Sequence, residues 1–118
     1  MKLQSLIPIL YSSDIQKSFA YYTEKLGFEK KWDWGNPPDF GCVGKDEVEI
    51  FFCLKNQGNP GSWICINVDN VDEYYEFIKE RSANILSVPG DKEWNMREML
   101  VADPDSNVIR FGHNIDCD

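Results

Sequence analysis

The sequence predicts a single α+β domain of 118 residues in which a strand–helix–strand–strand–strand (βαβββ) module occurs twice. Two places in the chain show an apolar strand that runs into a capped amphipathic helix. The helices are expected to start 56 residues apart, at Ile15 and Val71. Strands and turns then follow each helix in the same order. We place the modules at about residues 3–55 and 62–113, with curled mixed sheets around a groove and the helices on the outside.

The first module begins with the apolar segment 6–11, which predicts a strand buried on both faces. The helix that follows has the strongest pattern in the chain. Ser13 and Gln16 have the spacing of a capping box, and Gly27 provides a stop signal. Its apolar side chains recur every three or four residues, at Ile15, Phe19, Tyr22 and Leu26. Three strands are expected next, at 28–34, 39–43 and 47–54.

The second module follows the linker-like segment NQGNPG at residues 56–61 and repeats this order. Asp69-Asn70 precedes a helix whose inner face carries Val71, Tyr75 and Ile78. The strands of this module are expected at 63–68, 85–88, 96–102 and 107–111. The last two form a hairpin around the turn Asp-Pro-Asp-Ser.

The charge balance disfavours two classes of partner. Twenty acidic and twelve basic residues give a net charge of −8 and an isoelectric point of about 4.6. This charge opposes binding to nucleic acid and to anionic membranes. It attracts a cationic ligand, although acidic surfaces more often serve only to keep a protein in solution. With no signal-peptide pattern and no apolar stretch long enough to cross a membrane, we expect a cytoplasmic protein.

The spacing of the cysteines favours free, reduced thiols over disulfides or a metal site. Cys42, Cys53, Cys65 and Cys117 include no C-x-x-C pair and are too widely spread for a small disulfide scaffold. A zinc site built from them is not expected. His113 is the only histidine and is expected to lie beyond the last strand as an exposed imidazole.

Three stretches of this sequence resemble the vicinal oxygen chelate superfamily, which includes glyoxalase I, extradiol dioxygenases, fosfomycin resistance enzymes and bleomycin resistance proteins. They are IPILYSSDIQKSFAYYTEKLGFE at residues 7–29, VEIFF at 48–52 and EWNMREMLVADPDSNVIRF at 93–111. Tryptophan and Met-Arg-Glu before Asp-Pro-Asp-x-Asn are most similar to the bleomycin resistance branch. Ser106 stands where the superfamily usually has glycine.

The resemblance implies four metal-ligand positions, of which this chain keeps one. Enzymes of the superfamily hold a divalent metal with histidine or glutamate side chains, which leave open positions for a substrate oxygen. The corresponding residues here are Ile7, Glu49, Trp63 and Arg110. We therefore expect no metal, no cofactor and no catalytic residue. Glu49 and Arg110 are equivalent in the two halves, which suggests a salt bridge across the vacated position; alternatively, Arg110 points to solvent on the outer face.

Aromatic side chains are the second group of candidate site residues. A tryptophan in a small domain more often belongs to the core, and this is the interpretation for Trp32. The resemblance implies that Trp63 and Trp94 instead stack on a flat, positively charged drug. Acidic groups near the groove would attract such a ligand, and they are Asp33, Asp39, Glu47 and Glu49. The expected ligand-binding residues are Trp34, Phe40, Glu49, Phe51, Trp63, Trp94, Met96 and Arg110, with Trp34 and Phe40 at a mobile rim.

Pro8 suggests how the chain assembles. It removes a backbone donor from an otherwise strong strand, so it belongs at an edge or at a point where the strand changes partners. Relatives close their grooves by two-fold pairing, often with the first strand exchanged between subunits, and the resemblance therefore implies a homodimer. The leading hypothesis is a non-catalytic protein that sequesters a cationic or aromatic small molecule at the dimer interface. The alternatives are a metal-dependent glyoxalase-like lyase, transferase or dioxygenase, and a metabolite-binding module unrelated to drugs.

Overall fold

The structure is a computed structural model, describes residues 1–115 and contains two four-stranded sheets, each with one helix packed on it. The first module consists of β1 Ile9–Tyr11, α1 Ile15–Ala20, β2 Glu29–Trp34, β3 Phe40–Lys45 and β4 Val48–Cys53. The second consists of β5 Trp63–Asn67, α2 Val71–Glu80, β6 Asn84–Asp91, β7 Met96–Ala102 and β8 Val108–Asn114. The strand orders are β1-β4-β3-β2 and β5-β8-β7-β6. In each sheet the first strand is parallel to the fourth and the remaining pairs are antiparallel, which confirms the predicted α+β fold with two βαβββ modules.

Both helices begin at a side-chain cap. The Asp14 carboxylate accepts a hydrogen bond from the Lys17 backbone N–H at 3.2 Å, and Asn70 caps α2 in the same way. The predicted capping box of Ser13 and Gln16 is therefore wrong by one residue, because a carboxylate stands next to the serine and is the stronger acceptor. After α1 the helical backbone continues through one π-helical turn, Tyr21–Lys25. This helical segment ends at Gly27, where φ is +80°.

The first strand is shorter than predicted. Only Ile9–Tyr11 pairs with β4, and the last bond on this side runs from the Phe51 N–H to the Pro8 carbonyl at 3.0 Å. Residues 1–8, the N-terminal arm, leave the sheet there, and Met1, Leu3 and Leu6 are exposed. The prediction of a buried strand from Leu6 is wrong because the arm has no neighbouring strand within residues 1–115.

The last strand is longer than predicted and includes His113. Continued pairing with β7 extends β8 to Asn114, with Arg97 opposite His113. The His113 Nδ1 accepts a hydrogen bond from the Val71 N–H at 2.8 Å. The prediction of an exposed imidazole beyond the strand is therefore wrong, since the ring satisfies a backbone donor at the first turn of α2.

One hydrophobic core joins the helix-covered faces of the two sheets. Its largest fully buried side chains come from both modules: Leu10, Tyr22, Leu26, Ile50, Phe52, Ile78, Met99, Ile109 and Phe111. Tyrosine hydroxyls cross between the modules. Tyr21 donates to the Ala102 carbonyl at 2.6 Å, and Tyr74 donates to the Leu26 carbonyl at 2.6 Å. These contacts between the modules therefore help to fix the position of one sheet relative to the other.

Neither helix within residues 1–115 has the length and hydrophobicity that crossing a bilayer requires. The thiols of Cys42, Cys53 and Cys65 are free, and the first two are buried. Cys117 lies outside the described residues.

Candidate functional site

Within residues 1–115, each sheet has one face that no helix covers. On β4, Ile50 and Phe52 point into the core, so the alternating side chains of Glu49 and Phe51 point to the opposite face. On β8, Ile109 and Phe111 are buried, which puts Arg110 on the uncovered side. We call these surfaces the first bare face, on the sheet of β1–β4, and the second bare face, on the sheet of β5–β8.

The first bare face carries a cluster of three aromatic rings. Trp32 stacks on Phe40 with ring centroids 5.9 Å apart and an interplanar angle of 12°. Phe51 meets both rings edge-on, at centroid distances of 5.1 and 5.5 Å. Trp32 is 42% exposed, so part of its ring remains open to a ligand. Phe40 and Phe51 were predicted site residues, whereas Trp32 was assigned to the core.

A cavity of about 410 Å³ opens beside this cluster. It is lined by Trp32, Trp34, Asp39, Phe40, Cys53, Lys55, Asn56 and Gln57. The predicted rim residues Trp34 and Phe40 therefore lie together, and Trp34 is 74% exposed. The volume is within the range of small-molecule sites.

The acidic groups near the first bare face differ in how far they are neutralised. The carboxylate of Asp33 forms an ion pair with the Lys30 ammonium group at 2.7 Å. Within residues 1–115, Asp39, Glu47 and Glu49 have no recorded ion pair. Their negative charge is free to attract a cation.

The second bare face presents two tryptophans and an arginine. Trp63 and Trp94 are 62% and 56% exposed. The register places Trp63 beside Val108 and Cys65 beside Arg110, while Met96 lies opposite Asn114 on the same side. The predicted site residues Trp63, Met96 and Arg110 therefore share this face, and Trp94 lies in the loop beside it.

At the centre of the second bare face lies Glu98, which was not predicted as a site residue. It is 3% exposed and accepts a hydrogen bond from the Trp94 Nε1 at 3.0 Å. The Arg110 Nε lies 3.6 Å from the same carboxylate, and the Arg110 Nη2 lies 3.7 Å from the Cys65 Sγ. The signal in the sequence was the alternation of β7, in which Met99 and Val101 face the core and Glu98 does not.

The expected salt bridge between Glu49 and Arg110 does not form in the chain. Arg110 pairs instead with Glu98, which lies on the neighbouring strand of the same sheet. Glu49 belongs to the other sheet. The reason is topological, because equivalent positions in the two modules lie on separate bare faces.

The side chains at the family's metal positions do not fit a divalent cation. Ile7 and Trp63 offer no ligand atom, and Arg110 is a cation. Across residues 1–115 no cluster of three or more histidine, cysteine, aspartate or glutamate side chains is placed to hold a metal ion. The side chains at these four positions therefore support no metal-dependent step.

None of the four tryptophans is buried, so the assignment of Trp32 to the core is wrong. All eight predicted ligand-binding residues lie on the two bare faces or, for Trp94, in the loop beside the second, and they are divided equally between the two faces. No hydrogen bond, ion pair or ring contact recorded for residues 1–115 joins the two sets.

The chain has recognisable relatives along nearly its whole length. A sequence model of the glyoxalase/bleomycin resistance protein/dioxygenase superfamily matches residues 5–111. A bleomycin resistance protein of Geobacillus stearothermophilus is 30% identical in an alignment 133 residues long, gaps included, that covers 96% of this chain and 98% of the relative. A protein of the same name from Staphylococcus aureus matches equally well.

Two solved structures show the same fold. The bleomycin resistance determinant of transposon Tn5 has a TM-score of 0.81 at 20% identity, over 95% of this chain and 98% of that chain. The bleomycin-binding protein of Streptomyces verticillus, solved with copper(II)-bleomycin, has a TM-score of 0.77 at 20% identity, over 94% and 96%. The chain belongs to the glyoxalase/bleomycin resistance protein/dioxygenase superfamily.

Proposed function

We propose that this protein binds and sequesters a flat cationic or aromatic small molecule without chemical conversion. The site is a groove in which the first bare face of one chain meets the second bare face of another. Bleomycin is the first ligand to test, because relatives at 30% identity are bleomycin resistance proteins. The single observation that carries the proposal is the exposure of large aromatic rings on both bare faces.

Exposed rings at these positions support binding rather than packing. Small domains gain stability by burying tryptophan, so four exposed tryptophans need another explanation. Flat ligands stack on such rings, and a positive charge on the ligand adds attraction to the ring face. The Trp32, Phe40 and Phe51 cluster offers one stacking surface, and the second bare face offers another.

The electrostatics support a positively charged ligand. The chain carries a net charge of −8, which raises the local concentration of cations. Near the first bare face Asp39, Glu47 and Glu49 are not neutralised within residues 1–115. On the second bare face, Glu98 offsets the charge of Arg110. A groove built from both faces would therefore be negative overall.

The N-terminal arm supports assembly into a homodimer with exchanged arms. Its apolar side chains Met1, Leu3 and Leu6 are exposed, which is costly in a monomer. A cavity of about 500 Å³ lies between the edges of β4 and β5 and is lined in part by Leu6 and Pro8. β1 pairs only with residues 51–53 of β4, and β5 pairs with β8 on one side. Open strand edges of this kind accept a strand from another chain.

The full chain is expected to be a dimer at micromolar concentration, and a variant lacking residues 2–8 is expected to be a monomer. Deletion removes the exposed apolar arm and leaves the core cluster intact. Light scattering coupled to size-exclusion chromatography measures both masses. A Pro8→Ala variant keeps the arm and serves as the control that should remain dimeric. A monomeric full chain would remove the proposed interface.

Bleomycin is expected to stabilise the protein against unfolding. At a concentration of 100 times its dissociation constant, a ligand that binds only the folded state adds about 2.7 kcal/mol. Thermal unfolding with bleomycin, and separately with zinc or manganese chloride alone, tests this. Since all four tryptophans are exposed on the bare faces or the loop beside them, bleomycin should also change their fluorescence. Stabilisation by the metal salts alone would favour the enzyme hypothesis, and no response to bleomycin would exclude this drug as the ligand.

A further inference from the structure

Glu98 is a buried carboxylate on a surface that otherwise presents aromatic and apolar side chains and the guanidinium group of Arg110. At 3% exposure it has lost nearly all contact with water, which is unfavourable for a carboxylate unless it is paired. The partners are Trp94, at 3.0 Å, and Arg110, at 3.6 Å. Both partners were predicted from the sequence to touch the ligand, so Glu98 links two site residues from beneath.

The contact with Trp94 fixes the orientation of a stacking surface. An indole has a single N–H donor, and the bond to Glu98 uses it. The ring is still 56% exposed, so its face stays open while its rotation is restricted. A ring already held in place loses less conformational freedom when a ligand stacks on it.

The contact with Arg110 decides the charge of the second bare face. A guanidinium group is always charged, and beside a stacking surface it repels a cationic ligand. The Arg110 Nε is buried and makes no hydrogen bond in the part of the chain that the structure describes. At 3.6 Å its attraction to Glu98 is therefore a charge pair rather than a hydrogen bond. Without Glu98 this positive charge would be uncompensated.

Gly112 makes room for this arrangement. The Glu98 side chain lies across β8 at this residue, and a Cβ placed on Gly112 would be 2.9 Å from the Glu98 Cγ. Any larger residue would displace the carboxylate from between Trp94 and Arg110. The φ angle of Gly112 is not in the left-handed region, so its backbone conformation does not require glycine. Glycine is needed at this position because of the space that the Glu98 side chain occupies.

We propose that Glu98 is the residue that makes this site selective for positively charged ligands. It acts as a positioning residue, through Trp94 and Arg110, and the inference rests on the proposed function. Glu98 holds the indole in a fixed orientation and cancels the arginine charge, so a flat cation can stack beside a guanidinium group. Removal of the Glu98 charge should therefore change which ligand charge the site prefers.

The test compares two ligands of nearly the same shape and different charge, N-methylquinolinium and 1-methylnaphthalene, together with bleomycin. In Glu98→Gln the amide oxygen still accepts from Trp94, but the negative charge is gone. Binding of N-methylquinolinium is expected to weaken about fivefold, as for loss of a partly exposed charge pair. Binding of 1-methylnaphthalene is expected to stay within about twofold, a size typical of neutral surface changes. Tryptophan fluorescence titration measures each affinity.

The double variant Glu98→Gln/Arg110→Gln separates charge selection from a purely structural role. Removing both charges restores a neutral face, so binding of N-methylquinolinium should return to nearly the wild-type affinity. Glu24→Gln, an exposed carboxylate in the π-helical turn, is the matched control and should change nothing. Urea unfolding of each variant shows that it is folded.

Any of the following outcomes would overturn the inference. Equal weakening of both ligands in Glu98→Gln would make Glu98 a structural residue only, and so would failure of the double variant to restore cation binding. Wild-type protein that binds bleomycin or either probe, with unchanged charge preference in Glu98→Gln, would overturn the inference and leave the proposed function standing. Wild-type protein that binds none of the three would overturn both.

Discussion

Replacement of Asp103 by alanine is expected to lower the free energy of unfolding by about 3–5 kcal/mol, the range for removing one partner from a buried charged network. Asp103 is 5% exposed. Its carboxylate accepts hydrogen bonds from the Tyr22 hydroxyl at 2.8 Å and from the Asn107 Nδ2 at 3.0 Å. The backbone N–H groups of Asp105 and Asn107 donate to it at 2.8 and 3.0 Å. Alanine would remove the acceptor of four hydrogen bonds, and of the four donors the Asn107 Nδ2 keeps one other acceptor, the Tyr11 carbonyl at 3.1 Å.

The effect is large because the network connects the two modules. Tyr22 lies in the π-helical turn of the first module, whereas Asp103 begins the turn between β7 and β8 of the second. Burial raises the pKa of Asp103 above its ordinary value, and the hydrogen bonds that its carboxylate accepts offset only part of this rise. Burial and the neighbouring Asp103 charge also raise the pKa of Tyr22 well above its ordinary value, so the phenol remains a donor. Every partner of Asp103 donates, which requires the carboxylate form.

Urea unfolding followed by circular dichroism measures this loss. Asp105 provides a matched control in the same turn, because its carboxylate accepts a single, exposed hydrogen bond from the Ser13 N–H at 3.1 Å. Asp105→Ala is expected to cost about 1 kcal/mol or less. Similar losses in the two variants would show that the turn, and not the buried network, is responsible.

The fold was predictable because the apolar residues follow strand and helix periods closely. The side chains of β3, β4, β7 and β8 point alternately to the core and to the bare face. This alternation decides which face of each strand packs against a helix. The N-terminal arm was not predictable in the same way. An apolar segment has the same composition whether it is buried in its own chain or exposed for a partner. Only the strand pairing seen in the structure shows which of these two cases applies.

The sequence suggested candidate site residues, whose binding role stays a prediction, but it could not supply the contacts between them. The resemblance pointed to Glu49 and Arg110 as a facing pair, yet their pairing depends on how the two sheets are arranged. Trp32 was missed because the strand pairing shifts between Lys30 and Trp32. Glu98 was missed because its burial depends on Gly112 of the neighbouring strand, a contact that no periodicity along β7 records.

Replacement of Trp94 by alanine is expected to weaken bleomycin binding by about 2 kcal/mol, or roughly thirtyfold, the effect typical of a central aromatic contact. The change removes a stacking surface that is held by Glu98 and is more than half exposed. Trp32→Ala, on the first bare face, is expected to have a similar effect. Leu86→Ser, at an exposed apolar position on β6 outside the predicted site, is the control and should bind normally. Fluorescence of the remaining tryptophans, or calorimetry, measures the affinities.

Mixing the two tryptophan variants tests whether each groove is built from two chains. In a mixed dimer, the Trp94→Ala chain supplies an intact first bare face and the Trp32→Ala chain supplies an intact second bare face. One of the two grooves is then complete. Random exchange makes half of the dimers mixed, so about a quarter of all grooves should bind with wild-type affinity. A site contained within one chain would gain nothing from mixing, because every chain in the mixture lacks one of the two rings.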